Sequence, residues 1–224
     1  MWEKTNFNKW SLIMRSSDKF SYLPNHEHHD LLHFVLFYNE LPVLVDSGRA
    51  SYNPIDIHAK SYLPEYHNSI RIDGLGYIPD SKHLYPNNYN YQDSNIITKV
   101  ENKTLEILIR TQGFNRIDNK INFTRRILVN QNKIEIIDSS QSLKSHVIDN
   151  YFHFHPQVKI KKDKNNYSFK INNKYFIFSP VNKNKDKDIS YFSNEYGHIE
   201  EKFVIHNTHT ISKDNEIRHN LEIS

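Results

Sequence analysis

The chain has 224 residues, of which 37% are hydrophobic and 25% charged, and its 29 Lys and Arg against 26 Asp and Glu leave a formal net charge of +3. That balance is too even to argue for nucleic acid, and no apolar run approaches the roughly 20 residues that a membrane-inserted helix requires. Cysteine is absent, which excludes disulfides, thiolate metal sites and cysteine nucleophiles, so any metal must be held by Asp, Glu or the 14 histidines.

Taken in order, the opening segment MWEKTNFNKW carries charges and Asn where a secretory signal would need an apolar core, and so reads as no export signal. Next comes PNHEHHDLLHF, residues 24–34. On an extended strand His26, His28 and Asp30 would share one face, and two imidazoles at i and i+2 are a common way for a strand to offer metal ligands. The apolar segments FVLFY and LPVLV follow, the second ending in Asp46 of LPVLVDSGRASY. Alone, that aspartate reads as a turn cap. His67 of PEYHNSIRIDG sits at the entry of the next strand, where a hydrogen-bonded edge histidine is the plain reading. Long irregular connections at 48–67 and 74–95 separate these pieces. Long loops in a compact β protein tend to carry function, so chemistry is expected within residues 20–95.

Beyond residue 95 the pattern becomes regular. TLEILIRTQ, INFTRRILVN, KIEIIDSS, NYFHFHPQVKIKK, YSFKINN, KYFIFSPV and EKFVIHNTHTISK alternate apolar and polar residues as half-buried antiparallel strands do. Turn formers such as NQNK, DKNN and INNK separate them. The basic stretches KIKKDKNN and NKNKDKD read as solvated hairpin tips, and His153 and His155 of YFHFHPQV as a solvated strand face. No window sustains a helical stripe. The expectation is an all-β chain, a single domain over residues 1–224 built as a large antiparallel β-sandwich.

In combination, HEHHDLLHFVLFYNELPVLVDSGRASYN and YHNSIRIDG resemble the C-terminal β domain of heparinase II/III-like polysaccharide lyases. That domain has a Gly-His-x-His-x-Asp stretch, a Leu-Val-Asp-x-Gly turn with a nearby Tyr, and a His-Asn-Thr strand. FTRRILVNQNKIEIIDSSQSLKSHVIDNYFHFHPQVKI is similar to the same domain's Arg-Arg, Ile-Asp and His-Phe-His-Pro strands, in the same order. The likeness covers roughly residues 11–210 and implies a supersandwich-like fold. It implies one structural zinc held by His28, Asp46 and His67, with His26 as the active-site histidine. The departures are mild: Asn25 replaces the usual Gly and Ser69 the usual Thr.

The chemistry implied is β-elimination on a uronic-acid polysaccharide. A base takes the proton α to the carboxylate, hydrogen-bonding or positive partners stabilise the charge that develops, and the glycosidic oxygen leaves protonated. Arg49, Tyr52 and Arg71 are the candidate substrate-binding residues, the two guanidiniums suiting uronate carboxylates. Relatives carry their catalytic tyrosine on an N-terminal helical toroid, which nothing in this all-β chain can be. Tyr22, Tyr52 and Tyr66 lie nearby, but none matches that tyrosine by motif. A separate helical chain docking on an apolar patch near Trp2 and Trp10 would complete a lyase. The alternatives are a non-catalytic, zinc-stabilised carbohydrate-binding sandwich and a truncated remnant. Family habit implies the periplasm, against which stands the missing signal.

Overall fold

The structure, a computed structural model, describes residues 2–15, 28–53, 57–78, 94–118, 121–142, 144–181, 188–212 and 215–224. His26 and Tyr22 lie outside the described residues. The chain begins with a four-stranded meander of β1 (Trp2–Phe7), β2 (Trp10–Arg15), β3 (Phe34–Tyr38) and β4 (Leu41–Leu44). Two 3₁₀ turns (Ile57–Tyr62 and Pro64–Tyr66) lead to the short β5 (Ile70–Ile72). The regular part then runs through β6 (Ser94–Glu101), β7 (Thr104–Thr111), β8 (Asn122–Val129), β9 (Lys133–Gln141) and β10 (His146–His153). It continues with β11 (Lys161–Asp163), β12 (Asn166–Ile171), β13 (Lys174–Ser179), β14 (Asp188–Phe192), β15 (Glu200–Ile211) and β16 (Glu216–Ile223).

These strands form two layers. One is an eight-stranded antiparallel sheet in the order β11-β12-β13-β16-β9-β8-β7-β6. The other joins the N-terminal meander to a second four-stranded sheet, β14-β15-β10-β5. The junction is a Leu44–Phe154 bridge flanked by Val45 N–H donating to His153 O (2.9 Å) and His155 N–H to Val43 O (3.0 Å). Alternation explains the packing: β2 turns Trp10, Leu12 and Met14 inward, β3 turns Phe34, Leu36 and Tyr38, and all six are buried. They meet the inner face of the larger sheet, where Phe176 lies 6.0 Å from Trp10 and 5.0 Å from Tyr38 between ring centroids. Each fully buried side chain of this size contributes about 1.5–3 kcal/mol. Three two-residue hairpins, Asn39-Glu40, Asn102-Lys103 and Asn172-Asn173, have both residues at positive φ. That is the turn whose twist matches paired strands, and Asn tolerates it well.

The sandwich is the fold the sequence predicts, but two local expectations change. Residues 28–33 are irregular instead of extended, and the strand begins only at Phe34. Asp30 O accepts from His33 N–H (3.1 Å) with Leu32 at φ +67°, so the chain turns directly after Asp30, and His28 and Asp30 stand outside any strand. His153 is buried, because β10 is covered on both faces near its end. Among the described residues no helix is long and apolar enough to cross a membrane.

Candidate metal centre

The site forms where β4 runs out. Asp46 accepts from Gly48 N–H through Oδ1 (2.8 Å), an Asx turn that aims Oδ2 the other way. Gly48 is required: its φ is +68°, and a Cβ there would lie 1.9 Å from Ser193 O. Oδ2 of Asp46 receives His67 Nδ1 at 2.6 Å and has His33 Nε2 at 3.4 Å. His67 follows the Pro64–Tyr66 turn, its N–H capping that turn through Pro64 O (3.1 Å). His28 stands on the far side, its ring 5.3 Å from that of His67.

By distance alone, His33, Asp46 and His67 form the candidate metal group, with one donor atom from each lying within 4.8 Å of the others. The protons argue for a different division of labour. Asn68 N–H donates to His33 Nδ1 (3.0 Å), so that nitrogen must be the acceptor. Burial, together with the field of His67, keeps the His33 ring neutral, its pKa down at about 3 despite the opposing pull of Asp46. Its single proton is therefore on Nε2, which lies 3.4 Å from Asp46 Oδ2 but makes no hydrogen bond to it, and in this tautomer that nitrogen offers no lone pair to a cation. His67 is the converse case. Its Nδ1 donates to Asp46 Oδ2, and its Nε2 is buried without a hydrogen-bond partner. His28, lowered to about 4 by burial and then by His67, is neutral at physiological pH, as a metal ligand must be.

Electrostatics favours a carboxylate at the centre. Burial opposes the charge on Asp46, but the field and hydrogen bond of His67, with His33 and Gly48 N–H, hold its carboxyl well below the ordinary range. Behind the turn lies Lys202 of β15, buried, its Nζ donating to Ser47 Oγ (2.9 Å) and its pKa pushed down by burial to about 7. Nothing in EKFVIHN marks Lys202 as different from a solvated strand lysine, so its place behind the acidic turn is visible only in the fold.

Two buried polar residues hold the frame. Asn68 Nδ2 donates to Phe34 O (2.8 Å) and Val45 O (3.1 Å), and Oδ1 accepts from His153 N–H (2.7 Å), joining β3, the β4 exit and β10. Arg125 of β8 points into the core. Its five N–H groups meet Asp138 twice (2.8 and 2.7 Å), Asn150 Oδ1 (2.7 Å), Leu32 O (3.0 Å) and Asn68 O (3.1 Å). The Arg-Arg strand and the His-Asn pair thus meet at the back of the site.

Of the other candidates, Arg49 lies 4.0 Å over the Tyr52 ring on the loop that follows Asp46. Arg71 is ion-paired to Asp149 (3.3 Å) and near Glu65 (3.9 Å). Trp2 is exposed with its ring edge-on to His33 at 5.9 Å, but Trp10 is core, so the proposed surface patch keeps only one of its two tryptophans. Elsewhere a carboxylate–imidazole–hydroxyl chain links Asp73 to His146 Nδ1 (2.7 Å) and His146 Nε2 to Ser142 Oγ (2.9 Å). Ser142 is buried and its oxygen already accepts from Lys144 N–H (3.2 Å), so the chain pins the β9–β10 loop to the turn after β5.

The family described as heparinase II/III-like, C-terminal, matches residues 2–218. No curated protein matches the chain. A solved heparinase III shares the fold with a TM-score of 0.71 at 16% identity over 99% of this chain and 34% of its own. A mutant of the heparan sulfate lyase HepC from Pedobacter heparinus gives 0.72 at 10% identity, over 99% and 34%. A heparinase III gene product with methylated lysines gives 0.69 at 11%, over 99% and 35%. The chain spans about a third of the length of these structures.

Proposed function

The chain belongs to the heparinase II/III-like C-terminal domain family, and from that premise we propose that it contributes a zinc-braced half of a polysaccharide lyase site acting on a uronic-acid glycan. The observation that carries the metal reading is the Asp46–His67 pair, with an ionised carboxylate, a buried unpartnered Nε2 and the neutral His28 ring alongside. One carboxylate and two imidazoles are a chemically apt set for zinc, with a further position open. His28, Asp46 and His67 would hold the ion, and His33 would stand behind Asp46, its Nε2 3.4 Å from Oδ2. Bound, the ion would cross-link three loops that share little apolar contact and place positive charge beside the substrate.

The remaining chemistry falls to side chains. His26, outside the described residues, is the proposed proton-handling group, its ordinary pKa lying near neutrality. Arg49 is the proposed partner of a uronate carboxylate, which stabilises the charge that develops as the α-proton is removed; the C–O bond to the leaving sugar then breaks with proton transfer to its oxygen. The tyrosine that the family chemistry calls for would come from a helical body outside residues 1–224, on the same polypeptide or a partner chain.

Elemental analysis of the purified chain, with melting temperature before and after chelation, tests the metal reading. About one zinc per chain, lost in His67→Ala and Asp46→Ala and retained in His26→Ala, is the expected result. Wild-type zinc content in both ligand variants would overturn the assignment. Ultraviolet detection of unsaturated uronate products, with the chain and its helical complement together, tests the elimination, which His26→Ala should abolish.

A further inference from the structure

The loop between β14 and β15 carries a residue that no motif singles out. Ser193 N–H donates to Ser47 O (2.8 Å) and Gly197 N–H to Ala50 O (3.0 Å), so this loop is fastened at both ends to the loop that bears Asp46. Ser193 Oγ donates to Glu195 O (2.7 Å) and stiffens the bend between those two points. Tyr196 is displayed from it with 68% of its surface exposed, beside Tyr52 at 58%. The two rings are near-parallel, 22° between planes and 6.0 Å between centroids. Arg49 occupies a face of Tyr52, its Cζ 4.0 Å from the ring centroid. Among the described residues, Tyr196 has no ring or cation contact besides Tyr52.

Guanidinium, Tyr52 and Tyr196 therefore form a stack rising from the rim of the metal centre. Tyr52 carries Arg49 over its ring and has Tyr196 beside it, and Tyr196 is the more exposed of the two rings. A large, rigidly held, exposed aromatic ring is a poor element of a free surface and a good element of a binding one, because its apolar body is desolvated at little cost in side-chain entropy. The adjacent guanidinium defines the ligand: a group with an apolar C–H face and an anionic edge.

We infer that Tyr196 is the platform on which a pyranose ring of the acidic glycan stacks, with Arg49 and the Tyr52 hydroxyl at its edge engaging the uronate carboxylate. The inference rests on the lyase-domain reading and adds, to the substrate-binding candidate Tyr52 that the sequence offers, a stacking residue 144 positions away. Tyr52 becomes the spacer that sets the distance between ring and charge.

The test is calorimetric titration of the full-length chain with size-defined heparan sulfate, polygalacturonate and alginate oligosaccharides. Wild type, Tyr196→Ala, Tyr196→Phe and Tyr175→Ala are compared, the last removing an exposed tyrosine on β13. Tyr196→Ala is expected to weaken binding of whichever oligosaccharide binds by about fivefold to tenfold. Tyr196→Phe and Tyr175→Ala should leave binding unchanged, and metal content should be equal in all four. Wild-type binding undiminished in Tyr196→Ala overturns the platform and leaves the acidic-glycan reading standing. Failure of wild type to bind any of the three overturns both.

Discussion

The Asn68 side-chain amide holds three backbone groups, Phe34 O, Val45 O and His153 N–H, and its own backbone N–H fixes the His33 tautomer. Asn68→Ala should cost about 3 kcal/mol in urea unfolding of the metal-free chain, since three buried hydrogen bonds vanish and their backbone partners stay dry. Asn68→Asp should not rescue it, because the amide donors are gone and a buried charge is added. An unchanged urea midpoint in Asn68→Ala would show that water reaches those groups. At His33 the prediction divides ligand from orienter. His33→Phe should retain metal with affinity weakened about tenfold or more, the usual effect of removing an outer partner, whereas His67→Ala should retain none. Equal loss of stoichiometric metal in both, by elemental analysis after gel filtration, would make His33 a ligand.

At the scale of elements, the site is a junction of loops clamped by neighbouring strands. The β4 exit and the β14–β15 loop touch backbone to backbone at Gly48. Gly48→Ala must separate them, so it should lower the melting temperature and, by swinging Tyr196 away from Arg49, weaken oligosaccharide binding together with stability. If only stability falls, the platform does not depend on this clamp. The same scale shows what the sequence could and could not tell. β7, β8, β12 and β13 were legible because their alternation is unbroken and Asn-rich turns bound them, and β9 because its alternation breaks only at Ile136–Asp138. β16 was not, because His219 takes a core position between Ile217 and Leu221 and disguises the apolar face. His153 misled for the same reason. Of the site, Asp46 and His67 were legible through the Asp-Ser-Gly and His-Asn motifs. His33, Lys202 and Tyr196 were not: their roles depend on contacts with residues distant in sequence, and local pattern carries no trace of them.

Across the whole molecule, the buried imidazoles set the acid limit. His29, His33 and His219 are held at about 3 and His28 at about 4, in each case chiefly by burial, against 6.5 for an ordinary histidine. Above pH 6.5 folded and unfolded chains bind the same number of protons at these rings. Below it the unfolded chain takes up protons that the folded one refuses, so stability falls as the pH drops towards the folded-state values. Each ring accounts for about 1.4 kcal/mol per pH unit in that window. Four such rings can exhaust a typical domain stability of about 5–15 kcal/mol before pH 4 is reached. Urea midpoints from pH 7 to pH 4 should therefore fall steeply, and His219→Phe, which keeps a ring between Phe152 and Phe178, should make the fall shallower. An identical slope in that variant would show that His219 is protonated in place. A last consequence concerns the Arg125 guanidinium, in which every N–H is already committed to the core, to the turn at Leu32 or to the strand entry at Asn68. No sub-global opening can release the site's backbone without also stripping the core of its central cation. Amide protons at Asn68 and His153 should thus exchange with solvent only as slowly as those of the deepest strands, and a folded chain should carry the frame of this site either whole or not at all.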